Sequence, residues 1–169
     1  GSGGLDVLVN AAGIMKAQPL LEVDRASFQE VFDVNVSGLF FMLQAAARAM
    51  VAGDRKGRII NLASIAGRHG HAGSLQYSAS KAAVISITQS AAHALAPHGI
   101  AVNAIAPGFI RTRMWNQVRE LATNGANAIL PEQFDTQLAA TVALGRLGEP
   151  IDISAAALFL ASDDSAYIV

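Results

Sequence analysis

Residues 57–106 read "GRIINLASIAGRHGHAGSLQYSASKAAVISITQSAAHALAPHGIAVNAIA". Two short, nearly continuous apolar runs, "GRIINLA" (57–63) and "IAVNAIA" (100–106), bracket a longer stretch from Gln76 to Leu95 that is rich in Ala, Ser and Ile. Pro97 and Gly99 close that stretch. Short apolar runs bounded by breaks predict buried strands, and the longer stretch predicts a helix. A strand, a helix and a second strand in this order predict parallel pairing through a crossover. "LDVLV" (5–9) predicts a third strand of the same kind. From Asp24 to Ala52 apolar residues recur at helical spacing (Phe28, Val31 and Phe32, then Phe40, Leu43 and Ala47), with Asp24 as N-cap and Gly53 as terminator. The expected fold is α/β, a doubly wound parallel sheet with helices on both faces.

The chain has 169 residues, which predicts one domain. Its residues are 52% apolar and only 15% charged, against a charged share of about 25% in ordinary globular domains. That balance predicts a surface partly covered by a partner, or a fold of which part is absent. The formal net charge is −1 and the cluster "RKGR" (55–58) is isolated, so nothing recruits nucleic acid or an acidic membrane. Without cysteine there is no disulfide framework, thiolate zinc site or cysteine nucleophile. No uninterrupted apolar run has the length of a membrane span and no leader opens the chain, which gives a cytoplasmic expectation. The chain opens almost on a strand and stops at "SAYIV", which reads as the start of another. The expectation is therefore a single partial domain over 1–169, with a sheet incomplete at both ends.

Tyr77 and Lys81 lie four apart, one turn along one helical face. A cation beside a phenol favours the phenolate and draws its pKa down from about 10. A general acid/base for alcohol and carbonyl chemistry needs that property. Alone the pair reads better as a solvated pair on a surface helix. Ser64 adds weight, since it directly follows the strand 57–63, at the carboxyl end of a parallel strand where open α/β sheets place ligands. Its alternative is a helix cap or loop residue. "LVNAAG" (8–13) and "NAIAPGFIRT" (103–112) end two further strands in small or turn residues that let a flat ligand approach the backbone.

Taken in order, "NAAG", Asn35 in "DVNVSG", Ser64, "YSASK" and "PGFIRT" resemble the short-chain dehydrogenase/reductase family over essentially the whole chain. The resemblance implies a Rossmann-like fold, an NAD or NADP cofactor, and hydride transfer between that cofactor and a secondary alcohol or ketone. It implies Tyr77 as catalytic acid/base and Lys81 as binder of the nicotinamide ribose that also lowers the Tyr77 pKa. Ser64 would orient the substrate oxygen, and Asn35 would hold the water through which Lys81 passes protons to solvent. Pro107, Gly108, Ile110 and Thr112 would fix the nicotinamide carboxamide, and Asn10, Ala11, Ala12 and Gly13 would line the adenosine side. Ala11 departs from the more frequent "NNAG". Asn10 has an equal alternative as a side chain bridging neighbouring strands. A glycine-rich phosphate loop is missing, so the chain is expected to be a fragment carrying the catalytic half and lacking the N-terminal glycine-rich half.

For substrate, "TRMW", "MLQAAARAMVAG" and "KAAVISITQSAA" look most like the polyol or sorbitol and the acetoin or diol dehydrogenases of the family. Residues 111–140 fall where the family keeps a substrate-covering helical segment, with Met114 and Trp115 as a pocket wall. The alternative is that Trp115 packs the segment onto the body. Ile65 is apolar for a polyol site and leaves room for a 3-oxoacyl substrate. His71, in the H-x-H pair with His69, is a minor substrate candidate, and no metal site is expected. The resemblance implies a homodimer or homotetramer through the two long helices, with Ala45, Ala46 and Ala83 allowing close approach unless they face their own sheet. A different class of reading is a truncated, noncatalytic chain that works only through association.

Overall fold

The structure is a computed structural model that describes residues 3–123 and 130–169, without the side chains of 121–123. Among the described residues three strands, β1 (Val7–Asn10), β2 (Arg58–Leu62) and β3 (Ala101–Ile105), form one parallel sheet in the order β1-β2-β3. The register sets Val7 against Arg58 and Asn10 against Asn61, then Asn61 against Ala104. β2 and β3 fall within the predicted runs, shortened at their ends, and β1 starts two residues later and ends one residue beyond its predicted run 5–9.

The helices are α1 (Arg25–Phe32), α2 (Leu39–Ala52), α3 (Leu75–Leu95), α4 (Arg113–Thr123), α5 (Pro131–Thr141) and α6 (Pro150–Ala161). Asp24 caps α1 by accepting the Ser27 backbone N–H at 2.7 Å, which satisfies one of the donors a helix start leaves free. Gly53 ends α2, and Gly99 turns the chain after α3 in a left-handed conformation, φ 69°, that side chains disfavour.

The expected single helix from Asp24 to Ala52 is corrected in one respect. Between α1 and α2 the turns widen into a π-helical segment, Asp33–Gly38, a local distortion typical of functional sites. Its cause lies outside the helix, because Asn35 turns its whole amide to the backbone of Ile14. The run Arg25–Ala52 is long and apolar enough to cross a membrane by length and composition. Here its Leu43, Ala47 and Met50 face is core.

That core fills one sheet face. Leu43, Ala47 and Met50 of α2 meet Ile59 of β2, Val102 of β3, and Ala92 of α3. On the opposite face α6 packs against β2 and β3, so the sheet carries helices on both sides. Both Ile59 and Ile60 of the central strand are sealed, as a parallel strand covered on both faces requires. The expectation that all three strands are buried fails at β1. Val7 and Val9 are 38% and 45% exposed, and among the described residues β1 pairs with β2 along one edge.

Candidate active site

The carboxyl ends of the strands converge on the first two turns of α3, so the site is built from residues far apart in sequence. β2 delivers Ser64, which is extended and 8% exposed. Its Oγ accepts the Ala66 N–H at 3.1 Å and so caps the 3-10 turn Ile65–Gly67, and it also hydrogen-bonds the Tyr77 side chain. Both readings of Ser64, cap and site residue, are therefore realised by one hydroxyl. The adjacent Ile65 is half-exposed, and its N–H reaches Pro107 O at 3.1 Å, tying the Ser64 turn to the segment after β3.

On α3, Lys81 is buried, with Nζ 5.8 Å from the centroid of the Tyr77 ring. That ammonium donates to Leu62 O at 2.7 Å, so the end of β2 holds it under the phenol. Burial brings the Lys81 pKa down to about 8, since a low dielectric disfavours the charged form. The expectation that Lys81 lowers the Tyr77 pKa is corrected. Burial pushes Tyr77 above its ordinary value, and the hydrogen bond with Ser64 provides the opposing pull.

Asn35 is 1% exposed. Its Oδ1 accepts the Ile14 N–H at 2.8 Å, and its Nδ2 donates to Ile14 O at 2.9 Å and to Ser80 Oγ at 3.0 Å. Ser80 in turn donates to Tyr77 O at 2.7 Å. The Asn35 side chain is engaged in this clamp, which binds the segment after β1 to α3. Asn10 donates to Asn61 Oδ1 at 2.9 Å, and Asn61 donates to Thr88 at 2.9 Å. Its bridging reading is the one the structure displays.

Ala11 and Ala12 are exposed and Gly13 is half-buried. A Cβ on Gly13 would stand 3.5 Å from Lys81 Nζ and 3.4 Å from Asn35 Oδ1, so the backbone here lies directly against both side chains. Pro107 and Ile110 are half-buried, while Gly108 is open to solvent. Ile110 is held by an isolated parallel bridge to Gly148, and Arg111 pairs with Glu149 at 2.9 Å. Thr112 Oγ1 accepts the Trp115 N–H at 3.4 Å, at the start of α4.

The stretch 111–140 is built of α4 and α5, with 124–129 outside the described residues. Trp115 is 6% exposed, stacked on Phe134 at 5.4 Å and edge-on to Phe109 at 6.1 Å. Its ring serves the packing alternative, tying α4 to α5 and to the segment after β3. Met114 is half-buried beside it. His71 is exposed and accepts the Gly73 N–H at 3.3 Å within its own loop. Among the described residues no cluster of His, Cys, Asp or Glu has the makings of a metal site.

The description of the family model that matches residues 1–169 is Enoyl-(Acyl carrier protein) reductase. The chain belongs to the short-chain dehydrogenase/reductase family. It is 47% identical to the sorbitol dehydrogenase of Cereibacter sphaeroides and 46% identical to the galactitol 2-dehydrogenase of Agrobacterium fabrum. Each match covers 99% of this chain and 65% of the relative. An NAD+-bound xylitol dehydrogenase superposes with a TM-score of 0.90 at 34% identity, over 99% of this chain and 66% of that one. The chain thus spans about two thirds of the length of these relatives.

For a nicotinamide cofactor, which the family implies, the test is whether the residues present leave it room beside the phenol. They fit: Gly13, beside Lys81, and solvent-exposed Gly108 leave the backbone bare at these two positions of the strand ends. Sequence reasoning missed three contributors, namely Ser80, Gly67 and Gln76. Gln76 is fully buried beside Tyr77 and donates to Lys16 O at 3.2 Å and Gln18 Oε1 at 3.1 Å. The signal for Ser80 was present in "YSASK" as a polar residue on the buried side of α3.

Proposed function

We propose that the protein carrying this chain is an NAD(P)-dependent oxidoreductase that moves a hydride between a nicotinamide cofactor and a secondary alcohol or ketone of the small polyol or diol class. The observation that carries this reading is the convergence of Ser64, Tyr77 and Lys81, with a half-buried phenol hydrogen-bonded to Ser64 and its ring centroid 5.8 Å from a buried ammonium. Tyr77 exchanges a proton at its phenol oxygen with the substrate oxygen, and Ser64 holds that oxygen in line. Lys81 would grip the ribose hydroxyls of the cofactor. Pro107, Gly108, Ile110 and Thr112 would hold the carboxamide, and Ala11, Ala12 and Gly13 the adenosine side. When bound, the cofactor supplies or accepts the hydride.

The polyol class is favoured by the names of the relatives, sorbitol and galactitol dehydrogenases and an NAD+-bound xylitol dehydrogenase. The test is oxidation of sorbitol, galactitol and 2,3-butanediol by the full-length protein with NAD+ or NADP+, read as reduced nicotinamide. Turnover of at least one of the three is expected, and failure on all of them with either cofactor contradicts the polyol and diol assignment.

The same reading puts a second copy on the outer faces of α2 and α3. A groove of about 660 Å3 between these helices is lined mostly by apolar residues, among them Phe40, Val51, Ile87 and Leu95, with Gln44, Arg48, Ser86 and Ser90 beside them, and Phe40 and Val51 are exposed. An apolar groove of this size fits the paired helices of a partner subunit. Ala46 does not take part in it, being buried within its own chain. Val51→Arg would set a charge in the groove, and it should convert an associated protein to monomer by light scattering. Unchanged assembly would put the interface elsewhere.

A further inference from the structure

We propose that Gly67 is a positioning residue: because it carries no side chain, the turn that holds Ser64 lies directly on the α3 backbone at Lys81, and this contact sets the separation of Ser64 from Tyr77. The inference rests on the proton-carrying role given to Tyr77 above.

The geometry is specific to one position. A Cβ on Gly67 would meet Lys81 C at 2.6 Å, Lys81 O at 2.7 Å and Ala82 N at 2.9 Å. All three are backbone atoms inside a 21-residue helix, so no side-chain rotation relieves the contact. Gly67 has no left-handed backbone, so the requirement is for space and not for conformation. The turn has two further anchors. The Ile65 N–H reaches Pro107 O at 3.1 Å, and the Gly67 N–H returns to Ser64 O at 3.0 Å. The N–H groups of Ala63 and Ile65 reach Ile105 O and Pro107 O and pin Ser64 between them, so a Cβ at Gly67 must push α3, which carries Tyr77, away from Ser64. Gly70, three residues on in the same loop, serves as the control, since a Cβ there would meet nothing within 4 Å.

The experiment uses the full-length protein and compares Gly67→Ala, Ser64→Ala, the double variant and Gly70→Ala. The Tyr77 hydroxyl is titrated by carbon NMR of its Cζ, assigned by loss of the signal in Tyr77→Phe, and kcat and the cofactor KM are measured alongside. The Ser64 hydrogen bond pulls the Tyr77 pKa down, so Gly67→Ala should move the titration upward by as much as Ser64→Ala does. It should lower kcat by about 100-fold, the scale of an ångström of misplacement, with the cofactor KM unchanged. The double variant should be no slower than Ser64→Ala, and Gly70→Ala should match the parent protein. A folded Gly67→Ala with an unmoved Tyr77 titration overturns the proposal. So does a double variant slower by the product of the two single effects, or a Gly67→Ala protein that does not fold, since the contact then serves folding instead of spacing. If Tyr77→Phe keeps its turnover the functional reading fails, and the NMR titration still decides the role of Gly67.

Discussion

Replacing Tyr77 with phenylalanine in the full-length protein should lower turnover by about a thousandfold, within the usual range for removing a general acid/base, while leaving cofactor affinity nearly intact. The substitution removes one oxygen and keeps the ring. The ring still covers the Lys81 ammonium, 5.8 Å from its centroid, so the packing of α3 against the strand ends persists. What disappears is the proton carrier and the Ser64 partner. Steady-state kinetics with cofactor binding by fluorescence checks both halves, and wild-type turnover would remove Tyr77 from the chemistry.

The second large effect is expected at Lys81. Lys81→Met keeps the stem and deletes the ammonium, so kcat should fall by about a thousandfold, near the top of the range for losing one preorganised donor, and the cofactor KM should rise as well. That rise separates Lys81 from Tyr77, since only the former is assigned to grip the cofactor.

The same variant has a signature in stability. Lys81 titrates at about 8 in the folded chain against an ordinary 10.5. Between those values the unfolded chain binds more protons than the folded one, so this group makes stability rise with pH across that window. Its contribution is complete above pH 10.5 and is lost as the pH falls through about 8. Tyr77 acts in the opposite sense at the alkaline end. Its folded pKa is raised from 10.0, so its contribution is present below pH 10.0 and is lost as the pH rises through the folded value. Lys81→Met should therefore flatten the rise between about pH 8 and 10, measured by denaturant unfolding across that range. A wild-type slope in the variant would show that Lys81 is not the group titrating.

The predicted site was legible where chemistry depends on local spacing. Tyr77 and Lys81 share a face because α3 forms, and α3 forms where small residues run to Pro97 and Gly99. Ser64 could be placed because a parallel strand ending at Leu62 must deliver the next residues to the ligand edge. The direction of the Tyr77 shift was not legible. Spacing identifies a neighbouring cation but not how much solvent is removed, and here desolvation outweighs the other influences. Trp115 was open between two readings for the same reason, since its partners Phe109 and Phe134 lie 6 and 19 residues away in sequence.

By itself the sequence determined the three parallel strands, the long helix α3 and the terminators at Gly53 and Gly99 with the cap at Asp24, features set by periodicity and by what each residue type can do locally; the candidate reacting groups came from the family resemblance. The tertiary structure alone decided the π-helical turn at Asn35, the packing of Trp115 against Phe109 and Phe134, and the contact of Gly67 with the Lys81 backbone. Each depends on which distant segment arrives alongside, and on how much water that arrival displaces, quantities that no local pattern encodes.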